Sequence, residues 1–227
     1  MRSSYTVVRV NALDTEWGPA DLAALSGCQP QAVLVPKLCH PDEAGIYRGQ
    51  LGGGPELWAM LETCIAFTQL SQISAKAAAA RLTTYVMGTN DLALEMRAKL
   101  DTKRAPFQPI LTQAVINARA YGLSVLDGVF NDIADEDGLA AQCRQGADMG
   151  FDGKTLIHPK QLSIANAAFS PSADVVAKAQ SIRDAFALPE NAGKGVIKVD
   201  GRMTEILHLR EAQRTLALHA ATQRNTP

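Results

Sequence analysis

Leu57-Trp58-Ala59-Met60-Leu61-Glu62-Thr63, a helical stretch from Ile65 to Ala80, and then Thr83-Thr84-Tyr85-Val86-Met87-Gly88-Thr89-Asn90-Asp91 form the segment that decides the architecture. Each end is a short run rich in apolar and β-branched residues that breaks off into polar ones, which is the mark of a strand with a loop behind it. The intervening stretch is long enough for a crossover helix, so the two strands it joins run parallel. The same rhythm extends in both directions. Thr6-Val7-Val8-Arg9-Val10 and Ala32-Val33-Leu34-Val35 come before it; Leu123-Ser124-Val125-Leu126 and Lys154-Thr155-Leu156-Ile157 come after, with helical segments from Pro109 to Tyr121 and from Asp137 to Met149. Strands that are nearly continuous in apolar residues, alternating with helices, predict an α/β protein whose parallel sheet is covered by helices.

Local turn chemistry agrees. Gly122 and Gly150 fall where helices should end, Asp21 is placed to cap a short helix through Leu25, and Pro41-Asp42-Glu43 suits a helical first turn. Gly52-Gly53-Gly54-Pro55 lacks the Lys-Ser/Thr of a phosphate loop and reads as a turn before a strand. Beyond Pro159 the pattern becomes mostly helical, interrupted by an isolated strand at Val196 to Val199 and closing with a helix from Thr204 to about Thr222. The expected division is a sheet unit over 1–160 and a C-terminal extension over 161–227, packing on that unit or on a neighbouring subunit.

With 47% hydrophobic residues and a net charge of −1, the 227-residue chain has the composition of a soluble globular protein, not of a collagen-like or disordered one. Its basic residues are scattered and not interleaved with aromatics, which argues against a nucleic-acid surface. Met1-Arg2-Ser3-Ser4-Tyr5 runs into a strand with no apolar signal core, and no apolar run approaches the roughly 18 residues of a membrane span. Cys28, Cys39, Cys64 and Cys143 form no CxxC pair and read as reduced thiols, so a cytoplasmic location with no membrane partner is expected.

In parallel βα proteins chemistry gathers at the C-terminal strand ends. Reading off that rim gives Arg9, Lys37, Glu62, Asp91, Asp127 and His158. Glu62 and Asp91 directly or closely follow apolar strands, and two converging carboxylates without a Cys or His cluster suit a hard cation such as Mg2+ better than Zn2+. The alternative is structural: Glu62 paired with Lys37, and Asp91 capping a helix from Leu92 to Lys99. Arg9 has the planar fork for a bidentate grip on a carboxylate, or for an internal salt bridge. His158 before Pro159 reads as structural, and Asp200-Gly201-Arg202-Met203 on its own reads as a turn.

Seven segments in order carry a family resemblance: Val8-Arg9-Val10-Asn11, Leu34-Val35-Pro36-Lys37, Met60-Leu61-Glu62-Thr63, Gly88-Thr89-Asn90-Asp91-Leu92, Asp127 to Asp132, Gly150 to Gln161, and Val199-Asp200-Gly201-Arg202-Met203. The chain resembles the citrate lyase beta-subunit-like proteins of the HpcH/HpaI aldolase family, which includes malyl-CoA and citramalyl-CoA lyases. The resemblance implies a TIM-type (β/α)8 barrel, here an incomplete one of about six parallel strands with a C-terminal helical extension, because the first two βα units of the family precede the Val-Arg-Val-Asn strand. It implies Mg2+ on Glu62 and Asp91, a 2-oxo acid carboxylate or substrate held by Arg9 and Glu62, and Asp200 acting as acid/base from an adjacent protomer. The implied reaction joins or splits a 2-oxo acid and an acyl-CoA in a homo-oligomer, a trimer or hexamer. Alternatives are a truncated member without lyase activity, a thioesterase, or a CoA-independent aldolase. The family often has Pro or Ala after Glu-Thr and a Gly two places later, where this chain has Cys64, Ile65 and Ala66.

Overall fold

A computed structural model describes residues 5–225; the reading of Met1 to Ser4 lies outside the described residues. The chain divides into two compact units, Met1–Ala165 and Asn166–Pro227.

In the first unit the elements run β1 (Val7–Arg9), α1 (Gly18–Ala24), β2 (Ala32–Val35), α2 (Glu43–Leu51), β3 (Glu56–Leu61), α3 (Cys64–Ala75), α4 (Ala77–Ala80), β4 (Leu82–Met87), α5 (Thr89–Met96), α6 (Gln108–Ala120), β5 (Ser124–Asp127), α7 (Glu136–Met149) and β6 (Gly153–Lys154). The strands form one six-stranded sheet in sequence order, and every neighbouring pair is parallel. This is the predicted incomplete TIM-type barrel, a curled parallel sheet with its helices. The register shifts once, between Leu57 and Trp58 opposite β4.

The two faces of the sheet differ in cover. In β3, Leu57, Ala59 and Leu61 are buried while Trp58 and Met60 are half-buried, the period-2 pattern of a strand covered more fully on one side. The buried side faces helices: Tyr85, aligned with Ala59, meets Ser74 of α3 through its hydroxyl at 2.8 Å. Phe67, Leu70 and Ile73 of α3 and Leu111, Ala114 and Ala118 of α6 belong to the same buried core. Truncating any of these large core side chains to alanine costs about 2–5 kcal/mol.

Several boundaries differ from the sequence expectation. The helix expected from Ile65 to Ala80 breaks at Lys76, where ψ is −1°, shortly after the Ser74 hydroxyl turns back onto the Leu70 carbonyl at 2.7 Å, a bond that bends helices. The last strand of the sheet is only Gly153–Lys154 instead of Lys154 to Ile157, because the Ile157 amide is taken by the Gln161 side chain and not by a neighbouring strand. Asp21 does not cap α1; it lies within the first turn, and its carboxylate accepts from the backbone and side-chain nitrogens of Asn11 at 2.9 Å. Gly122 and Gly150 do end their helices, with φ of 70° and 95°.

The helix α8 (Leu162–Phe169) spans the division. The second unit then contains α9 (Ala173–Ala187), β7 (Val196–Val199), β8 (Arg202–Glu205) and α10 (Ile206–Asn225). Val196–Val199 is not isolated: it pairs antiparallel with Arg202–Glu205, a partner hidden in sequence by its polar composition. Asp200 and Gly201 make the connecting turn with φ of 48° and 78°, the left-handed geometry that Asp-Gly supplies in two-residue hairpins. Ala179, Ile182 and Ala212 form the small core of this unit with Phe186, Val199, Leu209 and Leu216.

Candidate active site

The strand parity of the sheet sorts the six rim groups. Arg9 aligns with Leu34, and Leu34 with Trp58, so Arg9 lies on the face of Trp58 and Met60, the face away from the helices. Glu62, two residues past Met60, continues the same alternation. Asp127 has the opposite parity. Its neighbour Leu126 aligns with Val86, and Asp127 itself aligns with Lys154 on the helix side.

Glu62 is 2% exposed, and one carboxylate oxygen, Oε1, accepts from the Lys37 backbone amide at 2.8 Å. The expected ion pair with the Lys37 ammonium is therefore replaced by a main-chain hydrogen bond; Lys37 has a left-handed φ of 48°, the conformation in which that amide meets the carboxylate. Under the carboxylate lies Gly88. A Cβ there would stand 2.3 Å from the Glu62 Cβ and 2.7 Å from Oε2. Only glycine leaves room for this side chain. Replacing Gly88 with alanine is expected to destabilise the protein by about 1–3 kcal/mol, as overpacking does, and to displace Glu62. A thermal melt read beside a Mg2+ titration checks both effects.

Burial is the main force raising the Glu62 proton affinity, and the Asp91 charge adds to it, whereas the Lys37 amide, Arg9 and the Lys37 charge oppose it. Four of the expected rim groups, Arg9, Lys37, Glu62 and Asp91, thus share one electrostatic neighbourhood. Asp91 is exposed in the first turn of α5; Gly88, not Asp91, occupies the N-cap, so the capping alternative for Asp91 does not apply. Beside these groups a cavity of about 420 Å³ is lined by Asp14, Lys37, Cys39, Tyr47 and Thr63 among others.

Asp127 and His158 do not join this group. Asp127 is fully buried and shared by two cations, with Arg104 Nη1 at 2.6 Å and Lys154 Nζ at 3.0 Å. Lys154 Nζ also donates to the Gln142 side chain at 2.7 Å and to the Gly128 carbonyl, and Arg104 Nε donates to Gln145 at 3.0 Å. Sequence reasoning missed Arg104, which sits in a loop and carries no periodicity. The Lys154 pairing was visible only through strand alignment. His158 caps the short turn at Pro159 by accepting from the Lys160 amide at 3.2 Å, the structural role expected of it. Asp200 lies in the second unit, exposed on the hairpin turn.

The donor set suits a hard divalent cation. Among the described residues no three or more His, Cys, Asp and Glu side chains converge as a metal cluster. Two carboxylates that repel each other match Mg2+, which commonly takes one or two protein carboxylates and fills its shell with water or substrate oxygens. Residues 2–159 match the HpcH/HpaI aldolase/citrate lyase family. The chain belongs to this family.

Among curated relatives in the family, the (3S)-malyl-CoA thioesterase of Cereibacter sphaeroides is 46% identical over 93% of this chain and 73% of its own length. The citrate lyase subunit beta of Escherichia coli is 30% identical, over 90% of this chain and 70% of its own. The CitE protein of Mycobacterium tuberculosis, solved in complex with magnesium, acetoacetate and coenzyme A, superposes with a TM-score of 0.77 at 26% identity, covering 94% of this chain and 78% of that one. No helix among the described residues is long and apolar enough to cross a membrane.

Proposed function

We propose that this family member is a Mg2+-dependent enzyme acting on a 3-hydroxyacyl-CoA that carries a free carboxylate, of the malyl-CoA type, and that it hydrolyses the thioester. The observation that carries the reading is the buried Glu62 carboxylate, fixed by the Lys37 amide over Gly88 with Asp91 and Arg9 in its field. The likeness to a (3S)-malyl-CoA thioesterase supports hydrolysis. Carbon–carbon cleavage to a 2-oxo acid and an acyl-CoA is the second reading, supported by the likeness to a citrate lyase subunit beta.

Glu62 and Asp91 are the residues that would hold the cation. When bound, Mg2+ supplies polarisation of a substrate oxygen and offsets negative charge developing there. The exposed Arg9 guanidinium offers two parallel N–H donors to the substrate carboxylate, which fixes the reacting end without a large orientational loss. The Lys37 amide keeps Glu62 in one orientation, and the 420 Å³ cavity lined by Lys37 and Thr63 would give the acyl portion space beside the rim. Asp200 takes its role from the family motif: in hydrolysis it would accept a proton from the attacking water, and in cleavage it would deliver one to the enolate carbon. That role is proposed to operate between protomers of a homo-oligomer, a trimer or hexamer.

The test uses (3S)-malyl-CoA with and without Mg2+. Hydrolysis consumes one water and yields malate and free CoA, seen with a thiol reagent; cleavage yields acetyl-CoA and glyoxylate with no free thiol. Equal amounts of CoA and malate, dependent on Mg2+, are expected. Glyoxylate in place of free CoA would select the second reading. Neither product would remove malyl-CoA as the substrate class.

A further inference from the structure

We infer that the loop after β5 is a positioning device for Asp91, acting through Asn131 and Gly128; this rests on the reading of Asp91 as a cation ligand. The starting observation is that α5 begins without a side-chain cap. A Ser, Thr, Asp or Asn at that place would supply one, but its Cβ would collide with Glu62. The first turn of α5, which carries Asp91, therefore takes its support from outside the helix.

The β5 loop provides it at two residues, Gly128 and Asn131. Gly128 packs so closely on Thr89 that a Cβ would lie 2.6 Å from the Thr89 Oγ1 and 2.9 Å from the Met87 carbonyl. Asn131 and Asn90 exchange side-chain amides: Asn90 Nδ2 donates to Asn131 Oδ1 at 3.1 Å, and Asn131 Nδ2 donates to Asn90 Oδ1 at 2.8 Å. Both asparagines are exposed, where a hydrogen bond adds little to stability because water competes for the same groups. What the pair does add is orientation, since it ties the residue before Asp91 to a second element. That second element is itself immobilised. The Gly128 amide donates to the Asp127 carboxylate at 2.8 Å, and its carbonyl accepts from the buried Lys154 ammonium. Buried charge thus fixes residue 128, residue 128 fixes Thr89, and the amide pair fixes the turn from which Asp91 projects.

The experiment is a Mg2+ titration by calorimetry, with Mn2+ followed by electron paramagnetic resonance, on the full chain free of substrate. Asn131→Ala is expected to weaken cation binding about tenfold, within the range for residues that orient ligands, while shifting the metal-free melting temperature by less than about 2 °C. Adding Asn90→Ala should weaken binding no further, because the two residues act as one unit. Gly128→Ala should weaken binding more, with a larger loss in melting temperature. Wild-type cation affinity in Asn131→Ala, alongside lost affinity in Asp91→Asn, would overturn the positioning role and leave the metal reading intact. Wild-type affinity in both Asp91→Asn and Glu62→Gln would remove the metal reading and this inference with it.

Discussion

Substituting asparagine for Asp127 is expected to destabilise the first unit by about 3–5 kcal/mol, the cost of leaving buried charge without its partner. The replacement keeps the shape, so no cavity contributes. What it removes is the one carboxylate that, among the described residues, contacts two cations whose side chains are 1% and 0% exposed, Arg104 and Lys154. An asparagine amide oxygen can serve one of them, and its NH2 then points at the donor of the other. Burial already pushes the Lys154 ammonium towards losing its proton, and the Arg104 charge adds to that, with Asp127 as the main opposing force. Lys154→Met should cost less, since it leaves Arg104 and Asp127 as a neutral pair. The double variant should cost less than the sum of the two, by about 0.5–3 kcal/mol, because the residues share one network. Urea melts without metal measure all three. Additive costs would show that Asp127 and Lys154 do not depend on each other for their burial.

The same triad marks where the sequence could be read and where it could not. The alternation of apolar runs with helical stretches is a local property, and it led directly to a parallel sheet in sequence order. Glu62 and Asp91 stood out in the sequence because each carboxylate follows an apolar strand directly or within a few residues; the structure buries Glu62 just past β3 and leaves Asp91 exposed in the first turn of α5. The face a rim residue occupies was not legible. Asp127 ends its strand just as Glu62 does, yet the sheet register places it with Lys154 on the helix side. Parity across strands depends on alignment, and alignment is shifted by irregularities such as the one at Leu57 and Trp58. Lys37 was placed correctly beside Glu62 but for the wrong group: a backbone amide makes the contact, and no side-chain pattern announces a backbone donor. The strand after Asp200 escaped notice because Arg202, Met203, Thr204 and Glu205 show little of the apolar run on which strand reading depends.

Glu62→Gln separates what this residue does for folding from what it does for chemistry. The glutamine carbonyl can still accept from the Lys37 amide, and the side chain still fits over Gly88, so packing and the 2.8 Å hydrogen bond survive. The substitution removes a negative charge that burial and Asp91 both disfavour. Without metal, stability should therefore stay within about 1 kcal/mol of the wild type, the modest range expected where no packing or hydrogen bond is lost, or rise. Function should respond in the opposite way. A neutral amide is a far weaker ligand for a hard cation, and loss of several kcal/mol of charge stabilisation corresponds to a fall of about 10³-fold in Mg2+-dependent turnover. Linkage supplies a readout independent of turnover. At a Mg2+ concentration 100 times its dissociation constant, the wild type gains about 2.7 kcal/mol, whereas a variant that does not bind gains nothing. Mg2+ should then raise the melting temperature of the wild type and leave Glu62→Gln unmoved. If the variant is stabilised as much as the wild type, Glu62 is not a cation ligand, and its burial over Gly88 has to be explained by the fold alone.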